Sequence, residues 1–406
     1  MLVLEILFWL SAALILWTQL GYALALAVLA RFSAPAAEPL THCSSAPPER
    51  TRRRPGRAGA HRSFSRLDPP PTMSLIVAAH DEQDVIAGKV ANALALDYPR
   101  ELIEVIVACD GCSDATAARA RAARADVVLE LPRGGKIRAQ DAAVRVARGE
   151  IVAFSDANAL WEPDAARSLV AAFADPRVGY ACGQVRFVQA SSEATATNQE
   201  GLYWRYEMAV RALESRLGSI TAGNGAIYAT RRDTYLEVDP IMGHDLSFPF
   251  NIVKRGRRAV YVPRARATEK MVPSIEGELA RKRRMMSHTW PIVLRGGMLS
   301  PRGYPPGYAV MIISHRLLRY STPGLHALLL LATVALVTTG AGTVYVLALT
   351  FQLALLFAAA LAGIVRARPL LVARYYVLTT ASPALGLWDW LRHGTAASWD
   401  AAEGTR

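Results

Sequence analysis

The sequence predicts an α/β protein with a Rossmann-like, mainly parallel sheet, flanked by one membrane helix before it and two to three after it. Short apolar runs alternate with segments of helical period between residues 73 and 290, which is the pattern of βαβ units. The first 30 residues are almost wholly apolar, and further apolar stretches follow residue 322. Hydrophobic residues make up 52% of the 406-residue chain, which favours a membrane protein.

The N-terminal apolar segment, Leu2 to Ala30, carries Glu5 as its only charge. At about 1.5 Å per residue, a helix of this length crosses a hydrocarbon core about 30 Å thick. A cleavable signal peptide has a basic start and a shorter apolar core, so we expect an uncleaved transmembrane helix over residues 1–31. Arginines follow this segment, and the positive-inside rule then places the next part of the chain in the cytoplasm.

Residues 32–71 are rich in Pro, Ala, Ser and Arg and have no apolar period, which predicts a disordered basic linker. The net charge of +12 suits anionic lipid, phosphate-bearing substrates or nucleic acid. Aromatic residues do not interleave with the basic clusters as on a nucleic-acid stacking surface, so we expect no nucleic-acid partner. Cys109 and Cys112 have metal or redox spacing, but no second Cys pair or Cys/His pair stands nearby in the chain, so neither role is favoured.

A soluble domain is expected over residues 72–299, and its elements follow from the alternation of apolar runs and helical periods. The predicted strands are 74–79, 102–109, 127–131, 151–155, 178–188, 220–230 and 259–263. The predicted helices are 82–96, 115–125, 137–147, 163–174, 201–217 and 276–290. Glu207 and Glu214 on the fifth of these helices are interpreted as part of a solvent-exposed face.

An interfacial helix is predicted over residues 300–322, because Arg316 and Arg319 interrupt its apolar pattern. Transmembrane helices are expected over 323–392, and the last 14 residues, 393–406, form a C-terminal tail. The apolar stretches behind this expectation are 326–346, 347–365 and a weaker one at 375–391, which either crosses the membrane or is re-entrant.

Polar residues follow four of the predicted strands, and α/β sheets bind ligands beyond the carboxyl ends of their strands. Gly134-Gly135 allows close approach of the backbone to a ligand, and Lys136 is suited to base carbonyls or phosphate. Asp156 and Asn158 offer oxygen ligands to Mg²⁺ or Mn²⁺. We therefore expect a nucleotide that carries a diphosphate. The four polar segments are His80-Asp81-Glu82, Asp110-Gly-Cys-Ser-Asp114, Arg133-Gly-Gly-Lys136 and Asp156-Ala-Asn158.

Simpler interpretations remain open for some of these residues. Asp114 and Thr116 can cap the helix that follows them, and Asp81 and Glu82 can be first-turn acids favoured by a helix dipole. The chain has no G-x-x-x-x-G-K-[ST] motif and no G-x-G-x-x-G motif after the first strand. Their absence disfavours P-loop ATPases and dinucleotide oxidoreductases.

Taken in order, these segments resemble the motifs of the inverting family 2 glycosyltransferases with the GT-A fold, in their membrane-bound branch. The resemblance covers residues 73 to 290. The matching segments are Ala78-Ala-His-Asp-Glu82, Asp110-Gly-Cys-Ser-Asp-Ala-Thr116, Gly134-Gly-Lys136, Ser155-Asp-Ala-Asn158, Gly223-Asn-Gly-Ala-Ile-Tyr-Ala-Thr-Arg231, His244-Asp245 and Arg281-Lys-Arg-Arg284.

The resemblance implies a role for each matching residue. Asp110 would bind the uridine part of a nucleotide-sugar donor, and Lys136 would lie near its base or diphosphate. Asp156 and Asn158 occupy the D-x-D metal motif, and Asp245 takes the place of the catalytic base. The substrate-binding residues expected in this way are Ala79, Asp81, Glu82, Asp110, Gly111, Gly135, Lys136, Asp156, Gly225, Arg281 and Arg284.

Three positions depart from the family pattern. Asn158 replaces the second Asp of D-x-D, which lowers the charge offered to a cation. His244 stands where an acid usually precedes the base, and a protonated imidazole would lower the pKa of Asp245. Arg281-Lys-Arg-Arg-Met285 lacks the Gln and Trp of the Q-x-x-R-W motif found in polymer synthases, which favours transfer of one sugar.

The sequence thus predicts a multi-pass membrane enzyme, in a bacterial inner membrane with its catalytic domain in the cytoplasm. It would transfer a sugar from a UDP-sugar to a lipid or saccharide acceptor, with inversion and with Mg²⁺ or Mn²⁺, in glycolipid or polysaccharide biosynthesis of the cell envelope. The alternatives are a catalytically impaired subunit that binds nucleotide sugars or serves as a scaffold, and a nucleotidyltransferase.

Overall fold

The computed structural model describes residues 1–33, 69–188, 197–270, 275–365 and 367–397. Most of the predicted linker, residues 34–68, and the end of the predicted tail, 398–406, lie outside this described part. The strands are β1 Met73–Ala79, β2 Ile103–Asp110, β3 Val127–Leu131, β4 Ile151–Asp156, β5 Leu160–Trp161, β6 Val178–Val188, β7 Tyr228–Arg231 and β8 Arg258–Lys270.

The longer helices surround this sheet and extend beyond it on the N-terminal and C-terminal sides. They are α1 Leu2–Phe32, α2 Ile86–Leu94, α3 Thr116–Ala122, α4 Lys136–Val146, α5 Ala165–Ala171, α6 Thr197–Leu217, α7 His244–Lys254, α8 Ile275–Leu294, α9 Pro306–Tyr320, α10 Thr322–Thr338, α11 Thr343–Leu361 and α12 Arg368–His393. A π-helical turn at Trp17–Gly21 lies within α1, and another at Ile312–Leu317 lies within α9.

The eight strands form one sheet in the order β3-β2-β1-β4-β7-β6-β8-β5. The first four strands in this order, β3, β2, β1 and β4, are parallel to one another, and β6 is parallel to β8. Strands β7 and β5 run antiparallel to their neighbours. This arrangement confirms the predicted α/β class with a mainly parallel sheet. The antiparallel strand β7 joins the two parallel parts.

The register of the strands brings their polar ends to one edge. Asp156, the last residue of β4, pairs with Ala78 of β1. Asp110, the last residue of β2, pairs with Leu131 of β3. Because these strands are parallel, the segments that follow them leave the same edge of the sheet.

Apolar side chains from alternate positions of the strands fill the two faces of the sheet. Ile76, Ile106 and Phe154 lie in one fully buried cluster, whereas Leu75 and Val105 lie in the other. This alternation follows from the two-residue period of a strand. Burying a side chain of this size contributes about 1.5–3 kcal/mol, so the sheet is a rigid platform for the loops at its edge.

The segment between α6 and β7 differs from its prediction. The sequence predicts a strand over 220–230, but only Tyr228–Arg231 is a strand, because the glycines at 223 and 225 and close contacts to other elements hold 218–227 in an irregular path. The short strand predicted at 259–263 extends to Lys270, and the two-residue strand β5, which pairs with it, was missed.

The interpretation of Glu207 and Glu214 as a solvent-exposed face is wrong. Glu207 and Glu214 are 7% and 0% exposed, respectively. Glu207 pairs with Arg319, and Glu214 accepts a hydrogen bond from His315, both on α9. These partners lie about 100 residues further along the chain, so helical periodicity could not reveal them.

Within the described residues, two helices are long and apolar enough to span a membrane, α1 and α11. The pair α9 and α10, bent by 63° at their junction, makes a third if it is counted as one span. Helix α12 does not meet the same test; it packs along α8, where Trp290 Nε1 donates to the carbonyl of Pro383 at 2.8 Å.

Candidate donor site

The carboxylate of Asp110 holds the loop between β3 and α4. Asp110 is 1% exposed, and its carboxylate accepts hydrogen bonds from the amides of Gly134 at 2.6 Å and Gly135 at 3.0 Å. Arg133 Nη1 donates to the same carboxylate at 3.2 Å. Gly135 has φ +100°, a left-handed conformation that favours glycine. Asp110 and Gly135, both predicted as ligand-binding residues, are therefore in direct contact.

Next to this loop, the ammonium of Lys136 is paired with the carboxylate of Asp156. Burial alone would lower the pKa of Lys136, but the charge of Asp156 outweighs it and raises this pKa above its usual value. The charges of Asp245 and Glu269 contribute to the same rise. A Cβ atom on Gly225 would lie 3.3 Å from Lys136 Nζ, so Gly225 closes another side of the pair.

Asp245 lies in the first turn of α7, beside a buried histidine. His244 Nδ1 is 2.8 Å from the hydroxyl of Tyr228, and its ring stacks on Phe248 at a centroid distance of 4.0 Å. Burial, with a smaller effect from the charge of Lys136, lowers the pKa of His244 to about 3. The imidazole is therefore neutral near pH 7, so it places no positive charge beside the Asp245 carboxylate.

Two further ionisable side chains surround the Asp156–Asn158 turn and were not predicted from the sequence. Lys89 is fully buried, and its ammonium donates to the carbonyl of Ala159 at 2.6 Å. Burial lowers the pKa of Lys89 to about 7. On the other side, burial and the charge of Asp156 raise the pKa of Glu269 to about 7.

The residues expected after β1 make contacts between loops. Asp81 Oδ1 accepts from the amide of Ser113 at 2.8 Å, and the amide of Glu82 donates to the hydroxyl of Thr116 at 2.8 Å. Asp114 Oδ1 accepts from the amide of Thr116 at 2.9 Å, as in the helix-capping interpretation. Ligand atoms of His80, Asp81 and Cys112 also come within 4.8 Å of one another, although sequence spacing had not linked His80 to the cysteines.

Other residues of these loops are packed tightly. Ala79 is buried at the end of β1. Gly111 has φ +62°, and a Cβ atom there would lie 2.9 Å from the backbone nitrogen of Arg133. The carbonyl oxygen of Ala397 packs against Gly135, so the C-terminal segment reaches the same loop.

The basic residues of α8 are tied to acids. Arg281 donates to both carboxylate oxygens of Glu278 at 2.7 Å, and Arg283 pairs with Asp389 on α12. The charge of Arg281 also acts against the rise in the pKa of Glu269. Arg284 is exposed.

A comparison with known protein families identifies the domain that carries these residues. The family model described as Glycosyltransferase like family 2 matches residues 69–287, more than half of the chain. The chain belongs to this family. The matched residues of this family 2 domain include all the candidate site residues described above except Ala397 of the C-terminal segment.

Two curated relatives are named N-acetylglucosaminyltransferase. The protein from Rhizobium sp. (strain N33) is 24% identical over 230 residues, which cover 52% of this chain and 51% of the relative. The protein from Rhizobium leguminosarum bv. viciae is 26% identical over 233 residues, covering 53% and 54%. The chain therefore spans about half the length of the curated relatives it matches.

A similar solved structure is that of the mannosyltransferase PcManGT from Pyrobaculum calidifontis, in complex with GDP-Man and Mn²⁺. The TM-score is 0.64 at 22% sequence identity, over 95% of this chain and 99% of that chain. The similarity confirms the predicted GT-A fold of the family 2 domain, and it extends to the flanking helices.

Proposed function

We propose that this chain transfers one sugar from a UDP-sugar to a lipid or saccharide acceptor at a membrane surface, with inversion at the anomeric carbon. The observation that carries the proposal is the Lys136–Asp156 pair at the carboxyl edge of the sheet, with Gly225 against it and Asp245 bonded through its backbone carbonyl to the Gly223 amide. This edge is where α/β folds bind nucleotides. PcManGT, of the same fold, binds GDP-Man and Mn²⁺, which supports a nucleotide-sugar donor and a divalent cation.

The residues at the end of β4 fit a hard divalent cation. Asp156 and Asn158 supply oxygen atoms, the ligand type that Mg²⁺ and Mn²⁺ prefer. Asp156 already stabilises a positive charge, the ammonium of Lys136. Asp156 and Asn158 would hold the cation, which when bound would neutralise charge on the departing diphosphate.

The proton transfer and the stabilisation of the leaving group are assigned to side chains of the protein. Asp245 accepts the proton of the acceptor hydroxyl while that oxygen forms a bond to the anomeric carbon. The bond from the anomeric carbon to the diphosphate breaks, and its electron pair leaves with the nucleoside diphosphate. Lys136 and Arg281 provide positive charge to the leaving group. His244 is neutral near pH 7 and so adds no positive charge beside Asp245.

The membrane setting is part of the proposal. Helices α1 and α11, with the bent pair α9–α10, are the candidate spans. We place the family 2 domain on the cytoplasmic side of a bacterial inner membrane, because arginines follow α1. Nucleotide sugars then reach the site from solution, and the acceptor reaches it from the bilayer.

The test is release of nucleoside diphosphate by the detergent-purified protein, supplied with UDP-sugars and Mn²⁺ or Mg²⁺. We expect release only when a donor and a suitable acceptor are both present. Release of pyrophosphate instead would indicate a nucleotidyltransferase. Donor binding without release across a panel of acceptors would indicate a binding or scaffold subunit.

A matched variant tests the cation site. Asp156→Ala should abolish metal-dependent binding of UDP in calorimetry, while Asp164→Ala, on the loop before α5, should bind as the wild type does. Unchanged binding by Asp156→Ala would remove the cation from this position.

A further inference from the structure

A cluster of charged side chains is buried where helices α1, α6 and α9 meet. The Glu214 carboxylate of α6 is 0% exposed and accepts hydrogen bonds from the hydroxyl of Tyr22 on α1 and from His315 Nδ1 on α9, both at 2.7 Å. Glu207, two turns earlier on α6, pairs with Arg319 of α9. Burying charges is costly unless each is paired, so this cluster fixes the relative positions of the three helices.

Thr221 joins this cluster to the segment between α6 and β7. Its amide donates to Glu214 Oε2 at 3.0 Å, and its hydroxyl donates to the same carboxylate at 3.1 Å. Arg316 Nε of α9 donates to the Thr221 hydroxyl at 2.9 Å. The hydroxyl therefore bridges an anion of α6 and a cation of α9, and Thr221 is itself fully buried.

From Thr221 the chain runs directly into the proposed transfer site. The amide of Gly223 donates to the backbone carbonyl of Asp245 at 2.7 Å. Arg211 Nη2 donates to the carbonyl of Gly223 at 3.0 Å. Two residues later, Gly225 lies against the Lys136–Asp156 pair. Three residues, 222–224, thus separate Thr221 of the buried cluster from Gly225 in the proposed site.

We infer that Thr221 is a positioning residue for sugar transfer: held by Glu214 and Arg316, it sets the Gly223–Gly225 turn and through it the backbone of Asp245. The inference rests on the proposed function. Tyr22 of α1 and Arg316 of α9 both belong to the cluster that holds Thr221, so the inference makes these two helices part of the catalytic assembly. Both helices are candidate membrane spans or parts of one.

The test compares two substitutions of Thr221 in the full chain, purified in detergent. Thr221→Val keeps the shape of the side chain and removes the hydroxyl, and both charges of the cluster stay in place. Thr221→Ser keeps the hydroxyl and removes a methyl group. Thr230→Val is the matched control, because Thr230 is also 0% exposed and bonds to the carbonyl of Gly179 on the neighbouring strand.

We expect Thr221→Val to lower kcat by about 10- to 100-fold, since misplacing a reacting group by about 1 Å has an effect of this size. Its Kd for UDP with Mn²⁺ should change by less than about threefold, because Thr221 does not touch the donor groups. Thr221→Ser should restore kcat to within about threefold of the wild type, and Thr230→Val should keep it.

Three results would overturn the inference: wild-type kcat in Thr221→Val, equal loss in Thr221→Ser and Thr221→Val, or equal loss in the Thr230→Val control. A wild-type protein that transfers no sugar with any donor would instead contradict the proposed function. The two failures are therefore distinguishable in the same set of assays.

Discussion

The substitution Lys89→Met should make the protein more stable near neutral pH. Lys89 is fully buried, and burial lowers its pKa from 10.5 to about 7. This difference corresponds to a cost of about 5 kcal/mol for folding at pH values below the lowered pKa. Methionine carries no charge and has a similar length, so it removes this cost.

The gain is reduced by one lost hydrogen bond. The ammonium of Lys89 donates to the carbonyl of Ala159 at 2.6 Å, and an unpaired buried carbonyl costs about 1–3 kcal/mol. The expected net gain near pH 7 is therefore about 2–4 kcal/mol. The same lost bond loosens the turn that carries Asp156 and Asn158, so we expect weaker Mn²⁺-dependent binding of UDP.

The stability difference between the Lys89→Met variant and the wild type should depend on pH. Below about pH 7 the lysine is charged in the folded and unfolded chains, and the full cost is present. Between about pH 7 and about pH 10.5 the folded protein has lost the proton that the unfolded chain keeps, so the cost falls as the pH rises. The advantage of the Met variant should thus shrink with pH and reverse near about pH 9.

The assay is denaturant unfolding in detergent, followed by tryptophan fluorescence at several pH values between about 6 and about 10. Lys89→Arg is the matched control, because arginine stays charged throughout this range and should be destabilising at every pH. The reasoning is refuted if Lys89→Met is less stable than the wild type near pH 7, or if their difference does not change with pH.

Three other substitutions test single residues of the site. Asp245→Asn should lower kcat by about 10²- to 10⁴-fold with UDP binding nearly unchanged in calorimetry; surviving turnover would contradict its role as base. Asn158→Asp should raise Mn²⁺ affinity by about tenfold, measured by titration of the free protein, since it adds a second carboxylate; equal affinity would exclude position 158 as a ligand. Gly111→Ala should destabilise by about 2–4 kcal/mol, because the position has a left-handed φ and little space. Gly88→Ala, with nothing within 4 Å, is its control and should be neutral or stabilising by about 0.5–1 kcal/mol in unfolding experiments.

The parallel half of the sheet could be predicted because each of its strands is a short run dominated by apolar residues. Ile151–Asp156 is an example: its apolar residues are fully buried and it ends on the predicted carboxylate. The path of 218–227 could not be predicted in the same way. Its apolar, β-branched residues predict a strand, but much of its backbone bonding goes to Asp245, Glu214 and Arg211. Its bonds to the strands β8 and β6, from the Ile220 amide to Ala259 and from the Gly183 amide to Ile227, are isolated.

Side-chain partners distant in the chain explain the other differences. Glu214 was interpreted from its own helix, whereas its partners Tyr22 and His315 come from the two ends of the sequence. The sequence around Lys89 did indicate a core position for this residue, and this indication was missed. It follows Ile86 by three residues and precedes Val90 and Ala93, so it occupies a core position of an amphipathic helix, where an unpaired lysine is unexpected.

The carboxylates of Asp110 and Asp156 are both expected to contact the donor, but they differ in how readily they can exchange hydrogen-bond or ion-pair partners. Asp110 is 1% exposed and already accepts bonds from two backbone amides and Arg133. We therefore expect it to shape the loop that faces the donor. The side chain of Asp156 is 31% exposed and has a single mobile cation, Lys136, as its partner. A divalent cation that takes this carboxylate would release the ammonium toward the phosphates. With Asn158 contributing no charge, Asp156 would be the one D-x-D carboxylate for which Lys136 and the divalent cation compete, so we expect cation and donor to bind together.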